Sequence, residues 1–164
     1  MNKIQAQVRE FHEKFGVKIN ENPTMPELKE RILRANLILE EALEFVDAMG
    51  LRVDVVDPLS GYARTSLDVF VKFELKELGP ANLVDAADAI ADLNYVVAGA
   101  AVTMGLDTET LGDEVHRSNM SKVWPDGTVR HRESDGKVLK PPTYSPPNLE
   151  SIIYPQVCLN ANDL

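Results

Sequence analysis

Three glutamates, Glu40, Glu41 and Glu44, lie close together in the segment LILEEALEF, which has the apolar periodicity of a helix. At about 100° per residue, their side chains occupy roughly one quadrant of that helix. Leu33 and Leu37 fall on the same stripe one to two turns earlier, so the acids continue a partly apolar strip. Burial of unpaired carboxylates is costly, and a cation shared between them would explain the pattern.

A second acidic group, Asp85, Asp88 and Asp92, lies in LVDAADAIADLNYVV, an Ala-rich and otherwise apolar helical segment. If the two acidic stripes face each other, five or six carboxylates converge, and cations are needed to offset their repulsion. Oxygen ligands without His or Cys favour Mg²⁺, with Mn²⁺ as a substitute. Such a cation usually serves phosphate chemistry. The alternative interpretation is two ordinary acidic helix faces that form surface ion pairs.

A basic segment, residues 115–140, follows in an otherwise acidic chain and reads VHRSNMSKVWPDGTVRHRESDGKVLK. Its basic residues are His116, Arg117, Lys122, Arg130, His131, Arg132, Lys137 and Lys140. Such a cluster can bind phosphates that a carboxylate-bound cation bridges from the other side. Asn119 and Lys122 are three residues apart at a predicted helix end, so both can reach one ligand. The alternative is a solvated basic hairpin that balances nearby acids.

Composition limits the classes of function. At 164 residues the chain is expected to form one domain, and its net charge of −9 argues against a general nucleic-acid-binding surface. A single cysteine, Cys158, excludes an intrachain disulfide. No apolar run approaches membrane-spanning length, and the amphipathic N-terminal residues do not resemble a signal peptide. We therefore expect a cytoplasmic protein without membrane or nucleic-acid partners.

Apolar periodicity predicts four main helices. The first places Ile4, Val8, Phe11 and Phe15 on one buried stripe and ends at Gly16. The others are predicted at about 26–49, 82–104 and 107–120, the last with Asp107 as its N-cap. The expected core face of the second helix consists of Leu28, Ile32, Ala35, Leu39, Ala42, Leu43 and Val46.

The remaining segments are predicted to be less regular. Residues 53–64 are expected to form a loop, while 66–78 fit a short helix or an extended segment, with helix favoured. The segment 123–148 is predicted to form a hairpin or loop with turns at Asp126-Gly127 and Asp135-Gly136. Two Pro-Pro pairs then impose an extended chain, and a loosely packed tail is expected at the end.

Taken in order, the patterns EExxE, DAxADLxY, EVHRSNMSK and DGKVLKPP resemble the all-α nucleoside triphosphate pyrophosphohydrolases. That superfamily includes MazG-like enzymes, dimeric dUTPases and phosphoribosyl-ATP pyrophosphohydrolase, and the likeness is greatest to the branch like the last, found in bacteria and their phages. The resemblance covers roughly residues 5–150. It implies an all-α, MazG-like antiparallel helical bundle with a C-terminal hairpin and extended tail. We therefore expect one domain over 1–150, a tail over 151–164 and a homodimer or homotetramer, in the host cytoplasm if phage-encoded.

The resemblance also implies an activity: Mg²⁺-dependent hydrolysis between the α- and β-phosphates, which yields a nucleoside monophosphate and pyrophosphate. The family motif ExxE maps onto Glu41 and Glu44 as metal ligands, and Glu40 is the extra acid that orients or deprotonates water. Either Glu40 or Glu41 is expected to be the catalytic acceptor of the proton from water. In the second motif, Ala89 stands where the family has an acid three positions before Asp92. We expect the i, i+4 pair Asp88 and Asp92 to bind metal, with Asp85 in reserve because alignment on DAAD would select Asp85 and Asp88.

The remaining expectations concern the substrate. Lys122, Lys137 and Arg130 are expected to bind the leaving pyrophosphate, and Asn119 a phosphate or sugar oxygen. Aromatic candidates for the base pocket are Phe11, Phe15, Tyr95 and Trp124, with Tyr95 and Trp124 retained as substrate-binding residues. Two alternatives stay open at this point: a narrow dUTP or dCTP pyrophosphatase, and a non-catalytic helical binding module with an acidic groove.

Overall fold

The computed structural model describes residues 1–56 and 72–154, and most of these lie in helices. In chain order the elements are α1 (Lys3–Phe15), α2 (Leu28–Ala48), β1 (Leu51–Val56), β2 (Lys72–Glu77), α3 (Leu83–Met104), α4 (Thr108–Met120) and α5 (Leu149–Ile153). The four predicted helices are present, but the two strands make a strictly all-α description wrong. Cys158 and most of the predicted tail lie outside the described residues.

The chain divides into two compact units. Unit 1 contains Met1–Met25 and the described residues from Ala101 onward, and unit 2 contains Pro26–Ala100. Within the described ranges, no single helix is long and apolar enough to cross a membrane. Only α3 and α4 taken together, as a bent pair, reach that length and composition.

In unit 2, β1 and β2 form a two-stranded antiparallel sheet in which Leu51 lies opposite Glu77 and Val56 opposite Lys72. The loop predicted at 53–56 and the helix favoured at 72–77 are therefore wrong, whereas 57–71 lies outside the described residues. Apolar and charged residues alternate with period two over much of both segments, as is typical of a strand. Pairing with the distant strand β1 outweighed the local helix propensity of residues 72–77. The pattern of a single segment holds no information about such pairing.

The end of α2, the base of the sheet and the start of α3 are tied together around Gly50. Its carbonyl accepts hydrogen bonds from the N–H groups of Leu78 and Gly79, at 2.7 and 3.2 Å, and the Asn82 N–H donates to the carbonyl of Ala48. Gly50 has φ +70°, and a Cβ there would lie 2.2 Å from the Gly79 carbonyl oxygen, so only glycine fits. This junction fixes where α3 begins relative to the end of α2.

Large apolar side chains of unit 2 remain exposed. Leu28, Ile32, Leu39 and Leu43, which belong to the predicted core face of α2, are 46–62% exposed, so that prediction is wrong for this chain. On α3, the exposed apolar residues are Leu83, Val84, Ile90 and Val97. Exposed apolar side chains in this number are typical of an interaction surface.

In unit 1, α1 buries polar as well as apolar residues. Val8 is buried, but Phe11 and Phe15 are 40% and 69% exposed and stack on each other at 4.3 Å, so the predicted buried stripe is only partly correct. Gln5 is buried instead, because its side chain donates to the Leu106 carbonyl and accepts from the N–H and hydroxyl of Thr108. These bonds satisfy the amide and connect α1 to the first turn of α4.

Residues 141–148, here called the strap, come after the second predicted turn, Asp135-Gly136, and lie along α4. The Ser145 N–H donates to the Ser121 hydroxyl at 3.0 Å, and that hydroxyl lies 3.2 Å from the Ser145 carbonyl. Arg117 donates to the Ser145 hydroxyl and the Pro146 carbonyl, at 3.2 and 3.0 Å. The strap is therefore held against the last two turns of α4. The extended chain predicted from the prolines is wrong at Pro141 and Pro142, where the Tyr144 N–H donates to the Pro141 carbonyl and closes a turn.

Glu114 on α4 anchors the end of the strap, and we expect its contribution to depend on pH. It accepts from Arg117 and, at 2.6 Å, from the Asn148 N–H, and these bonds hold the pKa of its carboxyl at about 2, below the ordinary 4.5. A lowered pKa in the folded state contributes stability above about pH 4.5 that is lost as the pH falls towards 2. Glu114→Gln should therefore lower the melting temperature at pH 7, and its difference from wild type should shrink on acidification. A difference independent of pH would contradict this.

Candidate active site

The candidate site is formed in unit 2 by acids that α2 and α3 supply. Burial raises the pKa of the Glu41 carboxyl, and the nearby negative charges of Glu44, Asp92, Glu40 and Asp88 raise it further, in that order. Glu40 and Glu44 flank Glu41 on α2, whereas the two aspartates come from α3. The carboxylates of both helices are therefore close enough to act electrostatically on one side chain.

One oxygen of Glu41 has no hydrogen-bond partner. Its Oε2 atom is buried, and no group in the described ranges donates to it. A buried acceptor without a donor loses its interaction with water and gains nothing in return. Such an oxygen, on a side chain that the charges of four other carboxylates act on, is suited to a cation.

An open pocket of about 660 Å³ adjoins these acids. Its lining includes Glu44, Asp47, Asp85 and Asp88, together with Asn82. Asp88 therefore belongs both to the pocket and to the group of charges around Glu41, whereas Asp85 shares the pocket with Asp47. Sequence reasoning missed Asp47, although it lies three residues after Glu44 and so continues the same helical stripe.

The donors match a hard divalent cation in chemistry but do not form a ready-made ligand set. All are carboxylate oxygens, the type that Mg²⁺ prefers. Within residues 1–56 and 72–154, no three Asp, Glu, His or Cys side chains already lie close enough together to hold an ion. Binding would therefore require the carboxylates to turn towards a shared centre, and the partnerless Glu41 oxygen favours that change.

The predicted substrate-binding residues fall in both units. Tyr95 lies in unit 2, on α3, three residues after Asp92. Asn119, Lys122, Trp124, Arg130 and Lys137 belong to unit 1.

The structure brings the residues of unit 1 together in two groups. Lys122 donates to the side-chain oxygen of Asn119 at 2.7 Å, which agrees with their predicted convergence. The Arg130 guanidinium lies 3.8 Å above the Trp124 ring and forms an ion pair with Asp126, which already offsets its positive charge. The Trp124 Nε1 atom is buried and lacks a partner within the described ranges. Lys137 lies near Asp135, whose pKa is lowered first by Arg132, then by the Lys137 N–H and its ammonium.

The comparison with known proteins identifies the family. A family model described as phosphoribosyl-ATP pyrophosphohydrolase (PRA-PH) matches residues 8–119, a range that contains both acidic groups. No protein with curated annotation matches. One solved structure, a provisionally assigned NTP pyrophosphohydrolase from Exiguobacterium sp. 255-15, is 25% identical and aligns over 91% of each chain with a TM-score of 0.41. Because that score is low, the family model alone carries the conclusion. The chain belongs to the phosphoribosyl-ATP pyrophosphohydrolase family, whose members are hydrolases that act on pyrophosphate bonds.

Proposed function

We propose that this protein is a Mg²⁺-dependent nucleoside triphosphate pyrophosphohydrolase that releases a nucleoside monophosphate and pyrophosphate. The observation that carries the proposal is the buried, partnerless oxygen of Glu41, which lies among the charges of Glu40, Glu44, Asp88 and Asp92. Five carboxylates that repel one another are unfavourable in a purely structural role. They are favourable where they hold a cation that the reaction uses.

The proposed ligands are Glu41, Glu44, Asp88 and Asp92, with Mn²⁺ able to replace Mg²⁺. When bound, the ion would lower the pKa of a water molecule and offset negative charge on the phosphates. Glu41 is assigned to the ion because of its partnerless oxygen. Glu40 is exposed on the same turn of α2, so its carboxylate is the proposed acceptor of the proton from water.

Substrate binding is proposed for the residues that the sequence favoured. Lys122 and Asn119 are proposed to bind phosphate oxygens, since Lys122 has no carboxylate partner among the described residues. Arg130 and Lys137 are weaker candidates because Asp126 and Asp135 already offset their charges. Tyr95 and Trp124 remain the proposed aromatic contacts of the nucleoside.

We also propose that the protein forms a homodimer or homotetramer. The exposed apolar residues of α2 and α3 support this, because association would remove them from water. The fold of the family, with its tendency to associate, is the reason to choose identical subunits over another partner.

A product assay tests the proposed function. Purified protein with Mg²⁺ is incubated with each ribo- and deoxyribonucleoside triphosphate, and the products are separated. We expect monophosphate and pyrophosphate in equal amounts from at least one substrate, and no activity in EDTA. Release of single phosphate, or no turnover of any triphosphate, would contradict the proposal. The same panel separates a narrow dUTP or dCTP pyrophosphatase from a broader enzyme.

A further inference from the structure

Three arginines near the strap pair with carboxylates, whereas Lys122 and Lys140 have no carboxylate partner among the described residues. Arg117 pairs with Glu114, and Arg130 and Arg132 pair with Asp126 and Asp135. No carboxylate in the described ranges forms an ion pair with Lys122 or Lys140. In a chain with a net charge of −9, two cations left unpaired in this way mark a local positive centre.

Both lysines lie beside the phenol of Tyr144. The Tyr144 N–H donates to the Pro141 carbonyl at 3.0 Å, and this turn places the Lys140 ammonium 4.2 Å from the Tyr144 ring. The Ser118 hydroxyl donates to the phenol oxygen at 3.3 Å. Lys122 directly follows Ser121, whose hydroxyl accepts from the N–H of Ser145, the residue after Tyr144. In agreement with these contacts, the pKa of Tyr144 is lowered chiefly by the Ser118 bond and then by Lys140 and Lys122.

The arrangement leaves the phenol proton available. The Tyr144 hydroxyl bonds to another hydroxyl, that of Ser118, and either group can donate, so the Tyr144 O–H can turn to donate to a bound group. Two ammonium groups and one hydroxyl donor, with no carboxylate among them, form a site that favours a multiply charged oxyanion.

The cluster is also held in place before any ligand binds. Pro141 is buried and its ring restricts the backbone, while the reciprocal hydrogen bonds of Ser121 and Ser145 fix the strap to α4. Lys122 is held by Asn119. A preorganised site loses less conformational entropy on binding than loose surface lysines would.

We propose that Lys122, Lys140 and the Tyr144 hydroxyl form a phosphate-binding site that holds pyrophosphate. The choice of pyrophosphate over another oxyanion rests on the proposed function, whereas the existence of the anion site does not. Lys140 and Tyr144 lie beyond residues 8–119, so the family match does not include them. They replace Arg130 and Lys137, which the sequence favoured, as partners of Lys122.

Calorimetric titration with inorganic pyrophosphate, in EDTA and at low ionic strength, tests the site without turnover. We expect Lys140→Met and Lys122→Met each to weaken binding about tenfold, because each removes one charge-assisted contact. Methionine keeps the aliphatic length of lysine, so Lys140→Met preserves contact with the Tyr144 ring. Tyr144→Phe should weaken binding by a few fold, since it removes one neutral donor.

The matched control is Lys3→Met, which removes the same charge from the surface of unit 1 away from the strap. It should bind pyrophosphate as wild type does, and circular dichroism of every variant checks folding. Equal binding by wild type, Lys140→Met and Tyr144→Phe would overturn the site, as would equal weakening by Lys3→Met. Inorganic phosphate binding as tightly as pyrophosphate would overturn the choice of ligand.

The two proposals fail separately. Asp92→Ala should lose hydrolysis and keep metal-free pyrophosphate binding. A wild-type protein that binds pyrophosphate but hydrolyses no triphosphate would contradict only the enzymatic proposal. A protein that hydrolyses triphosphates while Lys140→Met binds pyrophosphate normally would contradict only the anion site.

Discussion

Asp92→Ala is expected to lower kcat/KM for triphosphate hydrolysis by at least about a hundredfold, whereas Asp85→Ala should retain most of the activity. The reason is electrostatic: the charges of Asp92 and Asp88 both raise the pKa of the Glu41 carboxyl, whose buried oxygen is the proposed centre of the site. Asp85 lies instead in the pocket with Asp47. The pair Asp88 and Asp92 is therefore the proposed ligand set from α3.

The comparison of these two alanine variants decides the alignment of the second acidic motif. Both substitutions remove one aspartate from α3, so general loss of negative charge affects them alike. Activity is measured over a range of Mg²⁺ concentrations, which separates weak metal binding from lost chemistry. If Asp85→Ala is inactive and Asp92→Ala is active, the metal ligands from α3 are Asp85 and Asp88, the pair that alignment of the family motif on DAAD selects.

The helices could be predicted because their signals are local. Apolar periodicity with Gly16 and Asp107 as end signals gives α1 and α4 nearly to the residue. The strands could not be predicted in the same way, because β1 and β2 pair across an intervening segment of 15 residues, 57–71. Burial was also difficult to foresee: Gln5 is buried because distant partners satisfy its amide.

The candidate site was predictable to a similar degree. Carboxylates at i, i+3 and i+4 spacing share a helix face wherever the helix forms. The prediction that Glu41 and Glu44 share a face therefore required only that α2 be predicted correctly. That the charges of α3 act on those of α2 is a tertiary fact, fixed in part by the junction at Gly50. The role of the strap was not predictable, since Lys140 and Tyr144 meet only after the turn at Pro141 has formed.

Glu41→Gln is expected to change stability and activity in opposite directions. At neutral pH in EDTA the variant should melt at a higher temperature than wild type, because a neutral amide is not repelled by Glu44, Asp92, Glu40 and Asp88. Hydrolysis should fall by at least about a hundredfold, since the amide is a poor ligand for Mg²⁺. Such a residue is retained for function at the expense of the stability of the metal-free protein.

The measurement is the melting temperature of wild type and variant in EDTA and in excess Mg²⁺. Wild type should gain stability with Mg²⁺, because a ligand that binds only the folded state stabilises it, whereas Glu41→Gln should not respond. Glu40→Gln is the matched control: it removes the same charge one residue away, but from an exposed side chain, so its melting temperature in EDTA should rise less than that of Glu41→Gln, because only one of the repulsions on Glu41 is relieved. A lower melting temperature for Glu41→Gln in EDTA would mean that its carboxylate has favourable partners in the metal-free protein. In that case the buried oxygen would no longer support a cation site, and the acidic groups of α2 and α3 would be ordinary helix faces.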